Sequence, residues 1–127
     1  MGTNATGRSD GKLANKIGRI EGSFAPRLVE MLESPAYRAL SQAGHRILSR
    51  LEIELGHHGL KANGHLICTH DNFEKYGVHR NGIGPAIREV VALGLVQVMV
   101  KGRGGNGGYR IPARYRLTYR ATKDAEP

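Results

Sequence analysis

The apolar periods along this chain predict an α+β fold: helices and one short strand, closed by a two-stranded hairpin. Three observations carry that expectation. Apolar residues recur at helical spacing in two stretches, Ala43 to Leu55 and Ile83 to Val91. They alternate with polar residues from Arg114 to Arg120, as in a strand with one packed face. Ahead of that alternation lies Gly-Arg-Gly-Gly-Asn-Gly-Gly, residues 102–108, whose glycine content predicts a flexible hairpin tip.

Residues 1–23 are rich in Gly, Asn, Ser and Lys without a sustained period. They read as a disordered basic arm, residues 121–127 as a disordered tail, and residues 24–120 as the domain. Structure is expected from Phe24. Pro26 suits the first turn of a short helix whose apolar face is Leu28, Val29, Met31 and Leu32. Ser34 and Pro35 stop it and restart a turn through Leu40. Ser41 is the expected N-cap of a longer helix that places Ala43, Ile47, Leu48, Leu51 and Leu55 on one face and ends at Gly56. Residues 56–64 form a loop, and His65 to Thr69 reads as a strand. Asp71 is the expected cap of a short helix from Asn72 to Tyr76, anchored by Phe73 and terminated by Gly77.

Val78, His79 and Arg80 form a tight turn into a longer helix that ends at Gly94, with Ile83, Ile87, Val90 and Val91 buried. Pro85 fixes where this helix starts, because proline deep inside a helix costs about 3 kcal/mol. With Asn81 as N-cap, Pro85 falls in the first turn. Leu95 to Lys101 reads as the outgoing strand of the hairpin. Pro112 interrupts the return strand and leaves Arg114 to Arg120 regular. There Tyr115, Leu117 and Tyr119 form the packed face, and Arg114, Arg116, Thr118 and Arg120 the cationic one.

Across 127 residues, 19 Lys and Arg stand against 11 Asp and Glu, a net charge of +8. The excess is concentrated. Lys101, Arg103, Arg110, Arg114, Arg116 and Arg120 lie within residues 101–120 with no acid among them, whereas bases and acids balance over residues 24–76. One cationic face and an anionic partner follow from that asymmetry. The single cysteine excludes an internal disulfide framework and suits a reducing cytoplasm. No apolar run is long enough to span a bilayer, and none follows the first basic residues as a secretory signal would.

The order helix, strand, short helix, turn, longer helix, hairpin is carried mainly by Asp71-Asn-Phe-Glu-Lys-Tyr-Gly-Val-His-Arg-Asn-Gly-Ile-Gly-Pro-Ala-Ile-Arg-Glu-Val-Val-Ala-Leu-Gly-Leu-Val. It resembles the winged-helix form of the helix-turn-helix superfamily of DNA-binding domains. The resemblance covers residues 41–119, with 24–40 as a short N-terminal helical addition. Gly77, Val78 and the pair Gly94-Leu95 stand where that family ends its first short helix, packs its turn and enters its wing. Asn63-Gly64 is similar to winged helices of phage, plasmid-replication and regulatory proteins. Gly82, Gly84 and Pro85 depart from the pattern and leave few long side chains at the start of the recognition helix.

The resemblance implies a recognition helix in the major groove, with His79, Arg80, Asn81, Gly84 and Arg88 toward the DNA. Arginine pairs in bidentate fashion with guanine and asparagine with adenine. It also implies a wing in which Arg103 and Asn106 enter a groove while Lys101, Arg110, Arg114 and Arg116 hold phosphates. His57, His58, His65, Cys68 and His70 lie close in sequence, but His65 and Cys68 fall on opposite faces of a strand, so no metal site is expected. No nucleophile-elbow, P-loop or zinc-protease pattern occurs, and neither catalysis nor a cofactor is expected.

These readings predict a non-enzymatic, sequence-preferring double-stranded DNA-binding protein of bacterial type, cytoplasmic and nucleoid-associated, acting as a transcriptional regulator. Two alternatives stay open: a DNA-binding accessory or initiator of plasmid or phage replication, and a winged-helix protein-interaction module. No membrane partner is expected. Residues 24–40 are the extra apolar surface through which a homodimer would form.

Overall fold

The computed structural model describes residue 22 and residues 25–58, 62–104 and 110–120. The expectations for the arm, for the tail and for Asn106 lie outside the described residues. Among the described residues the fold is α+β, with five helices, a three-stranded antiparallel sheet and a second, two-stranded one.

Among the described residues two single-turn helices come first, α1 (Val29–Leu32) and α2 (Pro35–Arg38). The Ser34 hydroxyl accepts a hydrogen bond from the Tyr37 N–H, and Pro35 takes the first helical position, where its missing N–H costs nothing. Pro26 does not open α1. The helix begins three residues later, after an extended Leu28, and it buries none of its own residues. The expected apolar face is therefore mostly in solvent: Leu28 is 71% and Val29 67% exposed, and only Met31 packs against the core.

Helix α3 (Gln42–His57) is the centre of the domain. The Ser41 hydroxyl caps it by accepting from Gly44 N–H, and Ile47, Leu48, Leu51 and Leu55 are fully buried along one face. Strand β1 (Leu66–Ile67) is shorter than the sequence suggests. Helix α4 (His70–Lys75) starts earlier than expected, and its cap is Thr69 rather than Asp71. The Thr69 hydroxyl accepts from Asn72 N–H while the Asn72 side chain accepts from Thr69 N–H, so two end donors are satisfied reciprocally. Gly77, at a φ of 110°, turns the chain out of α4, and the Val78 N–H reaches back to the Phe73 carbonyl. That turn draws Val78 into the core.

Helix α5 (Arg80–Ala92) consequently begins at once, with His79 as N-cap. The His79 Nδ1 accepts from Asn81 N–H at 3.2 Å. The expected start at Asn81 is corrected, and Pro85 is the sixth helical residue, inside the helix. Pro85 is exposed and has no N–H to give the carbonyl of the exposed Asn81. The buried face is Ile83, Ala86 and Val90. Ile87 is half-buried and Val91 39% exposed, against expectation. Gly94 ends α5 as Gly77 ends α4, with a φ of 81° and the Leu95 N–H bonded to the Val90 carbonyl.

Strands β2 (Val96–Val100) and β5 (Arg114–Leu117) pair antiparallel, and β1 adds to the other side of β5, giving the order β1-β5-β2. Leu66 and Val98 both stand opposite Tyr115, and the register shifts between Val98 and Val100. The hairpin then narrows into β3 (Arg103–Gly104) and β4 (Arg110–Ile111), with Arg103 opposite Ile111. The sequence reading made all of residues 102–108 a loop; Arg103 and Gly104 are instead paired. Pro112 separates β4 from β5 as expected, but β5 stops at Leu117. The loop before β1 is tied to that point by Asn63. Its Oδ1 accepts from Leu117 N–H at 2.7 Å, and its Nδ2 donates to the carbonyls of Leu117 and Arg120. Phe73 meets Tyr115 edge-on at 6.3 Å, joining α4 to the sheet across the core.

Candidate nucleic-acid interface

The start of α4, one side of α5 and the hairpin border an open cleft of about 430 Å³. Thr69 and His70 come from α4, Ile87 from α5, and Val98, Lys101 and Arg103 from the hairpin. Each reaches the cleft for a local reason. The capping pair Thr69 and Asn72 sets where α4 begins. Ile87 lies beside, not on, the buried stripe of α5. Arg103 is held in register by its pairing with Ile111. No carboxylate lines the cleft among the described residues. Cys68 and Tyr115 also line it, and burial pushes the thiol up to about 11 and the phenol up to about 12, so neither carries charge at neutral pH. The cleft is thus an apolar trough with a cationic rim.

The predicted site residues separate into distinct groups. Lys101 and Arg103 are exposed at the cleft, and neither forms an ion pair with a described residue. Arg88 is exposed and equally without an ionic partner, its guanidinium over the backbone at Gly84. Asn81 is exposed, and His79 is occupied in capping. Arg80 differs from expectation. It bridges to Asp71 at 3.0 Å and to Glu74 at 3.2 Å, so its charge is answered by two acids on α4. Arg114 is half-buried, and Arg116 donates to Gln97 at 3.1 Å across the hairpin. Arg110 pairs through its backbone with Gly104. Arg120 is not on a cationic strand face: it turns inward to Glu52 at 3.2 Å.

The structure therefore brings Lys101 and Arg103 together with α4 and α5, but Arg80, Asn81, Gly84 and Arg88 do not line that cleft. Sequence reasoning missed Thr69, His70, Ile87 and Val98. The signal for the first pair was the spacing Thr69-x-x-Asn72, a capping pattern. Glu89, the single acid of α5, is directed elsewhere, with both carboxylate oxygens on the backbone N–H and hydroxyl of Ser41. Among the described residues, no group of three His, Cys, Asp or Glu side chains could hold a metal, and no helix is long and apolar enough to cross a membrane. Neither a protein-family model, nor a curated protein, nor a solved structure matches the chain.

Proposed function

We propose that the chain is a winged-helix double-stranded DNA-binding protein that regulates transcription, with α5 as recognition helix and the β2–β5 hairpin, extended by β3 and β4, as wing. The observation that carries this reading is the acid-free cleft. Lys101 and Arg103 border it beside the two helices, and the nearby acids Asp71, Glu74 and Glu89 are already engaged. Phosphates would meet unopposed cations there, and Asn81 and Arg88, exposed on α5, are the residues this reading assigns to base edges.

The test is fluorescence anisotropy of a labelled duplex with the full chain at several salt concentrations. Each neutralised phosphate contributes about −0.9 to the log–log slope, so several contacts give a steep negative slope. A flat salt dependence overturns the reading. A protein-interaction module is favoured by one specific observation: Val98, Met99, Val100 and Ile111 are all at least 39% exposed on the same hairpin. That alternative predicts no measurable affinity for DNA.

A further inference from the structure

Two guanidinium groups share one carboxylate on the side of α3. Glu52 is buried, with 3% of its side chain exposed. It accepts from Arg27 Nε at 2.6 Å, from the Tyr119 hydroxyl at 2.8 Å and from Arg120 Nη1 at 3.2 Å. The carboxylate is well supplied with donors, but the cations are not equally supplied with anions. Arg27 and Arg120 each retain only 16% side-chain exposure, and among the described residues Glu52 is the sole carboxylate bonded to either. Arg27 gives Nη1 to the Tyr37 hydroxyl, and its Nη2 has no partner among the described residues. The trio therefore carries one positive charge in excess, largely withdrawn from water, where an unpaired charge is costly.

A pocket of about 490 Å³ opens beside it, within the range of about 300–1,000 Å³ usual for small-molecule sites. Arg27, Ser49, Glu52 and His57 form its polar wall, and Ile53 and Tyr76, 37% and 39% exposed, its apolar one. Among the described residues it shares no lining residue with the cleft. We propose that this pocket binds a small monocarboxylate with an apolar body. The ligand's carboxylate meets the free edge of Arg27, and its body lies against Ile53 and Tyr76. A doubly charged ligand is disfavoured because Glu52 lines the same wall. The inference does not depend on the DNA reading.

The test is titration of the full-length ¹⁵N-labelled protein with sodium benzoate and with sodium hexanoate, followed by amide chemical shifts. Benzyl alcohol supplies the ring without the charge, and sodium chloride at equal ionic strength supplies charge without the body. The expected result is a saturable shift at Ser49, Ile53, Gly56 and His57 with at least one carboxylate, and about tenfold weaker binding of benzyl alcohol, as expected for a lost charge-assisted contact. Arg27→Ala risks unfolding the trio, so the variant is Ile53→Trp, which fills the pocket and leaves Glu52 untouched. It should abolish saturation in a protein whose spectrum stays dispersed. Arg27→Lys keeps the charge but loses the fork, and should weaken binding about tenfold. The proposal is overturned if neither carboxylate saturates by ~10 mM, an affinity already weaker than any useful site. It is equally overturned if benzyl alcohol binds as well, or if Ile53→Trp binds like the parent.

Discussion

Asn63 takes the part of a neighbouring strand for β5, supplying an acceptor to Leu117 N–H and donors to two carbonyls from a buried position. Asn63→Ala should cost about 2–4 kcal/mol in urea unfolding, because the orphaned backbone groups of β5 stay buried. Asn63→Asp should be no better, since a carboxylate would then face the carbonyls of Leu117 and Arg120. Cys68 gives a pH signature. Burial pushes its thiol from 9.0 up to about 11, so the unfolded chain loses the proton first as pH rises. Stability from this residue is complete below pH 9.0 and is lost as pH climbs to about 11. Cys68 contributes a slope of about 1 kcal/mol per pH unit there, and Cys68→Ala should remove that share and leave the share of the buried tyrosines. Tyr115, raised from 10.0 to about 12 by the same burial, adds to the loss at the upper end. Urea midpoints measured at half-unit steps of pH check both. A residue such as Asn63 is legible in sequence only as half of an Asn-Gly turn. Its bonds to Leu117 and Arg120 reach residues 54 and 57 positions away, which no local pattern encodes.

Among the elements, α5 shows where local reading holds and where it fails. Its existence and its end at Gly94 follow from apolar spacing and from the one residue type that adopts a left-handed φ freely. Its start does not. Avoiding an interior proline put the N-cap at Asn81, but the packing of Val78 under the turn decides the start, and an exposed Pro85 is tolerated. Restoring an N–H with Pro85→Ala should raise stability by about 1–3 kcal/mol. Gly82 offers a cleaner control, because a Cβ there meets nothing within 4 Å. Gly82→Ala should add about 0.5–1 kcal/mol. Thermal melts of both variants decide this, and no gain from Pro85→Ala would mean that the missing bond costs little at this exposed position. The strands were less legible than the helices, since β1 and β3 are two residues each and exist only through partners elsewhere in the chain.

For the whole molecule, the sequence showed that the cations crowd into residues 101–120, but not how the fold spends them. Lys101 and Arg103 stand at the cleft, Arg116 bonds Gln97, and Arg120 is withdrawn to Glu52. Charge counting therefore overstated how many of these cations are left without a protein partner among the described residues. Lys101→Ala and Arg103→Ala should each make the salt slope of DNA binding shallower by about 0.9 and leave thermal melts unchanged, because both side chains are exposed. Equal slopes for parent and variants would remove the cleft from the DNA contact. The withdrawal of Arg120 also bears on how the protein is made. Glu52 lies in the middle of α3, yet its partners Tyr119 and Arg120 are 67 and 68 residues further on. On the ribosome, which adds about 5–20 residues each second, Arg27 and α3 emerge seconds before the other two donors to the Glu52 carboxylate. Until then Arg27 alone can answer the carboxylate, and its full set of bonds waits for Tyr119 and Arg120, beyond the last strand. The carboxylate that ties the two ends of the domain together is therefore fully bonded only when the end of the chain arrives.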